Sequence, residues 1–323
     1  MRKHLSKAGL AAIFAAATLV AGLSSASAAD KVTVAIGQRG FWDTAVTQLG
    51  KEAGIFAKFG IDPDILYTHG GGETLQAVIS GSSDIGVAVG TTGVLGAYAK
   101  GAPLRIIGAE AVGAAEYWFV RADSKLKSIK DAGPSTTIAY SANGSSTNAA
   151  VLEFMKKYGL KAQPTATGSP PATFTETMTG QVDIGWSTPP FGLKEMKANK
   201  IRIVARANDL DSVRDHATRS LIANAQFLDQ HHDVVVRFMQ AYRATIDWMY
   251  SSPDALQAYA KFAKVDAATA KQVRDEFLTK PMLDPDKMVG MDDMMQQAVA
   301  FKTLSKPLGK DELDKLIQIP PRK

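Results

Sequence analysis

A segment rich in glycine, serine and threonine, Ser141–Thr147, carries the clearest chemistry in the sequence. It follows a β-rich run, Thr136–Tyr140, and leads directly into a predicted helix over 148–158. A helix N-terminus presents unpaired N–H groups and partial positive charge, serine and threonine hydroxyls add donors, and glycine allows close backbone approach. The segment therefore predicts binding of an anionic group, although a side chain could instead only cap the helix. The candidate ligand-binding residues are Asn143, Gly144, Ser145, Ser146 and Thr147.

Four more loops follow predicted strands, at 37–42, 68–72, 90–93 and 186–191. In open parallel sheets, ligands bind beyond the carboxyl ends of the strands, so these loops are expected to share one cleft. Glycine and threonine in them offer backbone and hydroxyl donors. The candidates in these loops are Gln38, Arg39, Phe41, Trp42, Gly71, Gly90, Thr91, Thr92, Trp186 and Phe191.

Aromatic side chains occur on both sides of this predicted cleft. We expect Phe41 and Trp42 to face Trp186 and Phe191, as walls for a ligand with an apolar body. The alternative for each ring is packing within a hydrophobic core.

Two charged side chains could add specificity. Arg39 could pair with a carboxylate or sulfonate, or it could be a solvated loop charge. Glu116 lies where the chain is expected to pass between two halves, and it could bind an amine or amidine.

An internal repeat organises the elements that carry these loops. Gly81–Gly86 recurs 99 residues later as Gly180–Gly185, and Phe59–Ile61 recurs at the same offset as Tyr158–Leu160. In each copy strands alternate with helices, which indicates parallel sheets covered on both faces. Asp84 and its counterpart Asp183 begin strands, away from the cleft, so we expect a turn or cap role and no catalytic pair.

Two β-rich segments, Glu116–Arg121 and Ile201–Ala205, are the predicted crossings between two lobes and are expected to form a hinge. After about residue 218 the pattern becomes helical. We expect lobe one to comprise 29–117 and 219–323, lobe two to comprise 118–218, and the C-terminal helices to pack on lobe one.

The N-terminus predicts a cleaved signal peptide over 1–28. Basic residues precede an apolar run, Ala8–Leu23, and Ala26-Ser27-Ala28 matches a signal-peptidase site. A membrane anchor is the alternative, but the run is shorter than the ~20 residues of a spanning helix. The chain has no cysteine, which excludes disulfides, thiol catalysis and a lipid-modified N-terminal cysteine. Without the leader the net charge is small and no dense basic patch remains, so nucleic acid is not an expected partner.

Several segments together resemble one family. Lys130-Asp131-Ala132, Asn143–Ser146, Pro170-Pro171-Ala172, Gly180–Asp183 and Trp186–Phe191 occur in the order found in periplasmic solute-binding proteins of the nitrate/sulfonate/taurine class of ABC importers. In lobe one, Gly54-Ile55-Phe56, Phe59-Gly60-Ile61 and Gly101-Ala102-Pro103 fit the same class. The resemblance implies an α/β, two-lobed type II periplasmic-binding-protein fold. Each lobe would be a mainly parallel sheet flanked by helices, the lobes would be joined by a two-strand hinge, and C-terminal helices would pack on lobe one.

The resemblance also implies a function. We expect a periplasmic, monomeric protein that captures a small organic anion, a sulfonate, taurine-like compound or carboxylate, and delivers it to an ABC permease. No cofactor, metal or catalysis is expected. A pyrimidine or thiamin precursor, nitrate, or input to a sensor remain alternatives. An enzyme on the same scaffold is disfavoured, because the related pyrimidine-synthesising and pyrrole-polymerising proteins depend on cysteine, which this chain lacks.

Overall fold

A computed structural model describes residues 29–322. The predicted signal peptide therefore lies outside the described residues. Across 29–322, none of the helices combines the length and the apolar character needed to cross a bilayer.

The first stretch of the chain alternates strands with helices. Two short helices follow the first strand, separated by Gly54, which adopts a left-handed conformation (φ 67°). The elements are β1 (Asp30–Gly37), α1 (Val46–Glu52), α2 (Ile55–Lys58), β2 (Ile61–Thr68), α3 (Gly71–Ile79), β3 (Ile85–Gly90), α4 (Thr91–Ala99) and β4 (Leu104–Ala111).

The second stretch repeats the alternation. Its longest helix begins after Ser145 and ends at Gly159, a left-handed C-cap residue. The elements are β5 (Tyr117–Arg121), β6 (Thr137–Tyr140), α5 (Ser146–Tyr158), β7 (Gln163–Ala166), α6 (Pro170–Thr179), β8 (Gly185–Ser187), α7 (Leu193–Lys197), β9 (Ile201–Arg206) and α8 (Asp211–Arg214).

One more strand and a run of helices complete the chain. They are β10 (Arg219–Asn224), α9 (Ala225–Gln230), α10 (His232–Ser251), α11 (Pro253–Ala263), α12 (Ala267–Gln272), α13 (Met291–Ala300) and α14 (Lys310–Leu316).

Lobe one contains a five-stranded sheet, and lobe two contains a three-stranded and a two-stranded sheet. In lobe one the order is β2-β1-β3-β10-β4, with β1 parallel to β2 and β3 and with β10 antiparallel to both neighbours. In lobe two, β8-β5-β9 is antiparallel, β6 is parallel to β7, and a parallel bridge from Ile138 to Ile184 joins the two groups. The two-lobed α/β fold is confirmed. Both lobes also contain antiparallel strands, namely β10 in lobe one and β8-β5-β9 in lobe two.

Each lobe has its own hydrophobic core. Lobe one packs β1 and β3 against α10, with Phe238 and Tyr242 almost wholly buried. On its other face Met294 and Met295 of α13 share a core cluster with Val94 and Leu95 of α4, so the C-terminal helices lie on lobe one as expected. The core of lobe two includes Trp118, which packs edge-on against a phenylalanine of α5.

The two repeat aspartates hold strands together. Asp84 accepts hydrogen bonds from the backbone N–H (2.7 Å) and hydroxyl (2.6 Å) of Thr33. Asp183 accepts the same two bonds from Thr137, at 2.9 Å each. Both lie at strand starts, where a cap role was expected, and the matching contacts show that the two lobes share one supersecondary plan.

The two segments expected at the hinge form β5 and β9, which pair antiparallel. The connections themselves run just beside them, through 112–116 and 207–218. The backbone N–H of Ala207 donates to the carbonyl of Glu116 (2.9 Å), and that of Gly113 donates to His216 (3.0 Å). The connections thus lie side by side, and the proposed lobe limits at 117/118 and 218/219 stay predictions.

Candidate functional site

The loops predicted to share a cleft meet where the two lobes contact each other. A Cβ atom placed on Gly72 would lie 2.5 Å from the carbonyl oxygen of Asn143, and one on Gly90 would lie 2.6 Å from that of Gly144. A Cβ on Gly40 would lie 3.1 Å from the ring of Phe191. Only glycine allows backbones to approach this closely, so the cleft is closed and its loops are in direct contact. We call these five loops the interlobe contact.

Three helices begin at the interlobe contact. α3 begins at Gly71 and α4 at Thr91, both in lobe one, and α5 begins at Ser146 in lobe two. The backbone nitrogen of Ser146 lies 2.8 Å from the position of a Cβ on Gly90. The partial positive charges of three N-termini therefore add at one place, which favours an anionic group between the lobes.

Buried hydroxyl groups line the start of α5. The hydroxyl of Thr147 lies 3.0 Å from the hydroxyls of both Ser141 and Ser145, and it accepts from the Ser141 backbone N–H at 2.9 Å. Ser145 also accepts from the N–H of Asn148 (3.1 Å), so this residue does serve as the helix cap. The hydroxyls of Ser141 and Thr147 do not cap the helix, and they form a buried polar cluster beside its first turn.

The remaining residues of that segment shape its turn. Gly144 has φ 77°, which a side chain would strain, and it contacts the lobe-one backbone at Gly93. Asn143 is exposed, and its side-chain oxygen accepts from the Tyr140 hydroxyl at 2.7 Å.

Backbone strain also occurs at the interlobe contact. Gln38 (φ 74°) and Ala88 (φ 64°) are non-glycine residues with left-handed conformations, near the carboxyl ends of β1 and β3. The Gln38 side chain is buried and donates to the carbonyl of His69 at 3.0 Å, which links two of the loops. Such conformations persist where the surrounding structure enforces them, and they are frequent at ligand sites.

Of the four aromatic candidates, one pair meets across the lobes. The rings of Phe41 and Phe191 contact edge to face, with centroids 5.4 Å apart. Trp42 is instead fully buried in lobe one, between Tyr250 and Tyr259, and its indole N–H donates to the Tyr250 hydroxyl. Trp186 lies in the core of lobe two. Both tryptophans were expected at the cleft wall, and both fill cores: Trp42 is turned inward by the loop backbone, and Trp186 is a strand residue of β8 paired with Trp118.

Two polar candidates are also turned away from the cleft. Arg39 is exposed, and its guanidinium stacks 4.8 Å from the ring centroid of Phe262 on lobe one. The Thr91 hydroxyl donates to the carbonyl of Ala217 (2.7 Å), and its N–H donates to Thr218 (2.9 Å). Neither residue is placed as expected. Thr92, the next residue, is buried, and its contact with a ligand stays a prediction.

A buried charge cluster at the cleft end of lobe one was not foreseen from the sequence. Arg219, the first residue of β10, pairs in the sheet with Gly90. Its guanidinium lies 2.6 Å from Asp43, 2.9 Å from Glu110 and 3.3 Å from Glu116. Glu116 was expected to bind an amine or amidine, and one of its oxygens contacts Arg219. We call these four residues the Arg219 cluster.

Burial dominates the acid–base behaviour of this cluster. It raises the pKa of Glu110 to about 8, because Arg219 offsets the loss of hydration only in part. For Arg219, burial alone would lower the pKa, but the three carboxylates raise it overall. Burial therefore favours the protonated form of Glu110, and the neighbouring carboxylates keep Arg219 charged.

Among the cavities of the described residues, two differ in their position relative to the interlobe contact. One of about 330 Å³ lies in lobe two between α6 and α7, lined mainly by apolar side chains including Phe119, Phe174 and Phe191. Because Phe191 also contacts Phe41, this cavity adjoins the interlobe contact. Another, of about 280 Å³, lies in lobe one beside the ion pairs of Arg243 and Arg322, away from the interlobe contact.

Solved structures share this fold. A protein from Bordetella bronchiseptica RB50 is 22% identical, with a TM-score of 0.72 over 91% of this chain and 95% of that chain. The alkanesulfonate-binding protein SsuA from Xanthomonas axonopodis pv. citri bound to MOPS is 17% identical, with a TM-score of 0.71 over 90% and 98% of the two chains. The periplasmic nitrate-binding protein NrtA from Synechocystis PCC 6803 is 14% identical, with a TM-score of 0.70 over 89% and 86%. At these identities the likeness shows the fold.

The sequence itself matches a family model. No curated protein sequence matches the chain. The model described as NMT1/THI5 like matches residues 43–256, which is more than half of the 323 residues. The match spans four of the five loops of the interlobe contact and the whole Arg219 cluster, and the expected resemblance to periplasmic binding proteins is confirmed by the solved structures. The chain therefore belongs to the NMT1/THI5-like family.

Proposed function

We propose that this protein captures a small organic anion between its lobes and delivers it, chemically unchanged, to an ABC importer. The observation that carries the proposal is the convergence of the N-termini of α3, α4 and α5 on the interlobe contact. Together with the hydroxyls of Ser141 and Thr147, these ends supply hydrogen-bond donors and positive potential.

The closed cleft fits a capture cycle. The lobes are joined by two adjacent connections, and the loops of the interlobe contact meet through close backbone approach at glycines. In this cycle the open form admits the ligand, and closure occurs because the ligand binds the closed form more tightly. The closed form then presents a combined surface of both lobes to a membrane permease.

An organic ligand is favoured over a bare inorganic ion. The Phe41–Phe191 pair and the adjacent apolar cavity give an apolar body somewhere to pack. Among proteins of this fold, one neighbour is an alkanesulfonate-binding protein and another binds nitrate, so anion capture is compatible with the scaffold. We place the protein in the periplasm, delivered there by the predicted signal peptide, where it acts as a monomer.

A thermal-shift screen of the chain lacking residues 1–28 tests the proposal. Sulfonates, carboxylates, nitrate and pyrimidines would be compared, since a ligand at 100 times its Kd adds ~2.7 kcal/mol to the free energy of unfolding. We expect an organic anion to raise Tm, to bind one to one in calorimetry, and to be recovered intact. A pyrimidine as the sole hit, or turnover of the ligand, would contradict the proposal.

Matched variants locate the site. Thr147→Val keeps the shape of the side chain but removes the buried hydroxyl, so we expect the Tm shift caused by the anion to shrink or vanish. Thr179→Val makes the same change at an exposed position at the far end of α6 and is expected to leave the shift intact.

A further inference from the structure

One side-chain hydrogen bond joins the two lobes outside the loops of the interlobe contact. The side-chain nitrogen of Gln297, in α13 of lobe one, donates to a carboxylate oxygen of Glu153, in α5 of lobe two, at 3.4 Å. Within residues 29–322, the other hydrogen bonds between the lobes involve residues in or beside the crossings, where the chain itself keeps the lobes together. The bond from Gln297 to Glu153 is therefore one that separation of the lobes would break.

Lobe one holds Gln297 firmly in place. Gln297 is 9% exposed, and it lies three residues after Met294, which belongs to the same core cluster as Leu95 of α4. A Cβ atom on Gly96 would lie 2.5 Å from the carbonyl oxygen of Thr303, so the chain just after α13 lies directly against α4. Burying an amide is unfavourable unless it has a hydrogen-bond partner, and the partner of this amide nitrogen is on the opposite lobe.

Glu153 extends the contact between the lobes along α5. It lies seven residues after Ser146, so both residues are on the same face of the helix, about 10 Å apart along its axis. Ser146 begins α5 and faces Gly90 of lobe one. Glu153 is partly exposed, so water can hydrate its carboxylate when the lobes separate. The bond to Gln297 thus depends on closure and lies outside the proposed ligand site at the start of α5.

We propose that Gln297 and Glu153 form a latch that stabilises the closed form and so raises the affinity for whatever ligand is captured between the lobes. The inference rests on the proposed function and adds two positioning residues that do not contact the ligand. Because the ligand binds the closed form, a change in the ratio of closed to open molecules alters the affinity for different ligands by the same factor. One hydrogen bond contributes a factor of about 2 to 10 to such an equilibrium.

An exchange of charge across the lobes tests the latch. Gln297→Glu places two carboxylates opposite each other, so we expect the affinity to fall about 3- to 10-fold. Gln297→Met removes the donor without adding a charge, and should lower the affinity about 2- to 5-fold. Adding Glu153→Lys to Gln297→Glu restores an attractive pair and should recover most of the loss, which a purely structural role of Gln297 would not allow.

Gln296→Glu is the matched control. It makes the same change one residue earlier in α13, at an exposed position, and should leave the affinity within about twofold of the wild type.

Two measurements assign the effect to closure. Spin labels at Lys100→Cys and Lys161→Cys, both exposed and one in each lobe, report the fraction of closed molecules with and without ligand. Calorimetry with the two tightest-binding anions of the thermal-shift panel gives the affinities. We expect Gln297→Glu to lower the closed fraction and to weaken the binding of both anions by the same factor.

The outcomes separate the latch from the proposed function. A closed fraction in Gln297→Glu equal to that of the wild type would overturn the latch and leave anion capture standing. A loss of affinity that Glu153→Lys does not recover, or one confined to a single anion, would also overturn the latch. If none of the panel binds, the proposed function fails, while the closed fraction without ligand still decides whether Gln297 and Glu153 hold the lobes together.

Discussion

Substituting Gly90 should hold the lobes apart without disturbing either one. Gly90 has φ −60° and ψ 120°, a conformation that alanine adopts freely, so lobe one tolerates Gly90→Ala. The added Cβ would lie 2.6 Å from the Gly144 oxygen, 2.8 Å from the Ser146 nitrogen and 2.9 Å from the Ser145 carbonyl carbon. All three are backbone atoms of lobe two, so the clash arises only on closure.

The size of the effect follows from that clash. Backbone atoms cannot rotate away as the end of a side chain can. The facing loop must therefore shift, or the lobes must stay apart. Overpacking of this kind costs typically ~1–3 kcal/mol. The penalty falls on the closed form, so the ratio of closed to open molecules should drop about 5- to 150-fold, and ligand affinity should fall with it.

The chain is well suited to a distance measurement because it contains no cysteine. Lys100→Cys and Lys161→Cys place two spin labels at exposed sites just beyond the C-terminal ends of α4 and α5, one in each lobe. We expect Gly90→Ala to lengthen the distance between the labels and to weaken ligand binding.

Gly133→Ala is the matched control, because no atom lies within 4 Å of the position of its Cβ. It should leave both the label distance and the affinity as in the wild type. If Gly90→Ala shows the wild-type distance and affinity, then closure through the interlobe contact is wrong.

Three further changes have defined outcomes. Burial in the folded state raises the pKa of Glu110 from 4.5 to about 8, so the unfolded chain binds fewer protons than the folded chain between these pH values. The free energy of unfolding of the wild type should therefore fall as pH rises from about 5 to 8, by up to ~1.4 kcal/mol per pH unit. Urea denaturation of Glu110→Gln should show a weaker dependence of this free energy on pH. Asp84→Ala removes the acceptor of two Thr33 bonds and should lower the free energy of unfolding by about 1–2 kcal/mol while ligand affinity is unchanged; the more exposed Asp183→Ala should lower it less. Phe191→Ala removes the edge-to-face contact with Phe41, worth ~0.5–1.5 kcal/mol, and should lengthen the label distance less than Gly90→Ala does.

Local patterns predicted much of the fold. The repeat of Gly81–Gly86 at Gly180–Gly185 indicated two related halves, and the paired contacts of Asp84 and Asp183 confirm it. The positions of the cleft loops followed from the strand ends alone, because parallel strands bring their carboxyl ends to one edge. The Ser141–Thr147 segment indeed precedes a helix and faces the opposite lobe.

Side-chain direction was less predictable. Phe41 and Trp42 are adjacent in the sequence, yet one reaches the opposite lobe and the other fills the lobe-one core. A loop without a fixed period gives no rule for which neighbour points inward, so sequence reasoning placed both at the cleft. Arg39 was misplaced for the same reason, since its stacking partner Phe262 is distant in the chain.

The Arg219 cluster could not have been found from local sequence. Asp43 and Arg219 are separated by 176 residues, and they meet only because β10 returns to lobe one and inserts between β3 and β4. One signal was present: an arginine in an otherwise apolar strand pattern, Leu221-Ile222-Ala223, which requires buried acidic partners.

Hydrogen exchange with a bound ligand tests the central claim most directly. The chain would be labelled with and without the tightest-binding compound of the screen, and protection would be mapped along the sequence. Capture between the lobes predicts new protection in 90–93 and 141–147, with the far side of lobe one around Arg243 and Asp284 unchanged. Protection confined to that far side, with none in the two loop segments, would contradict the account.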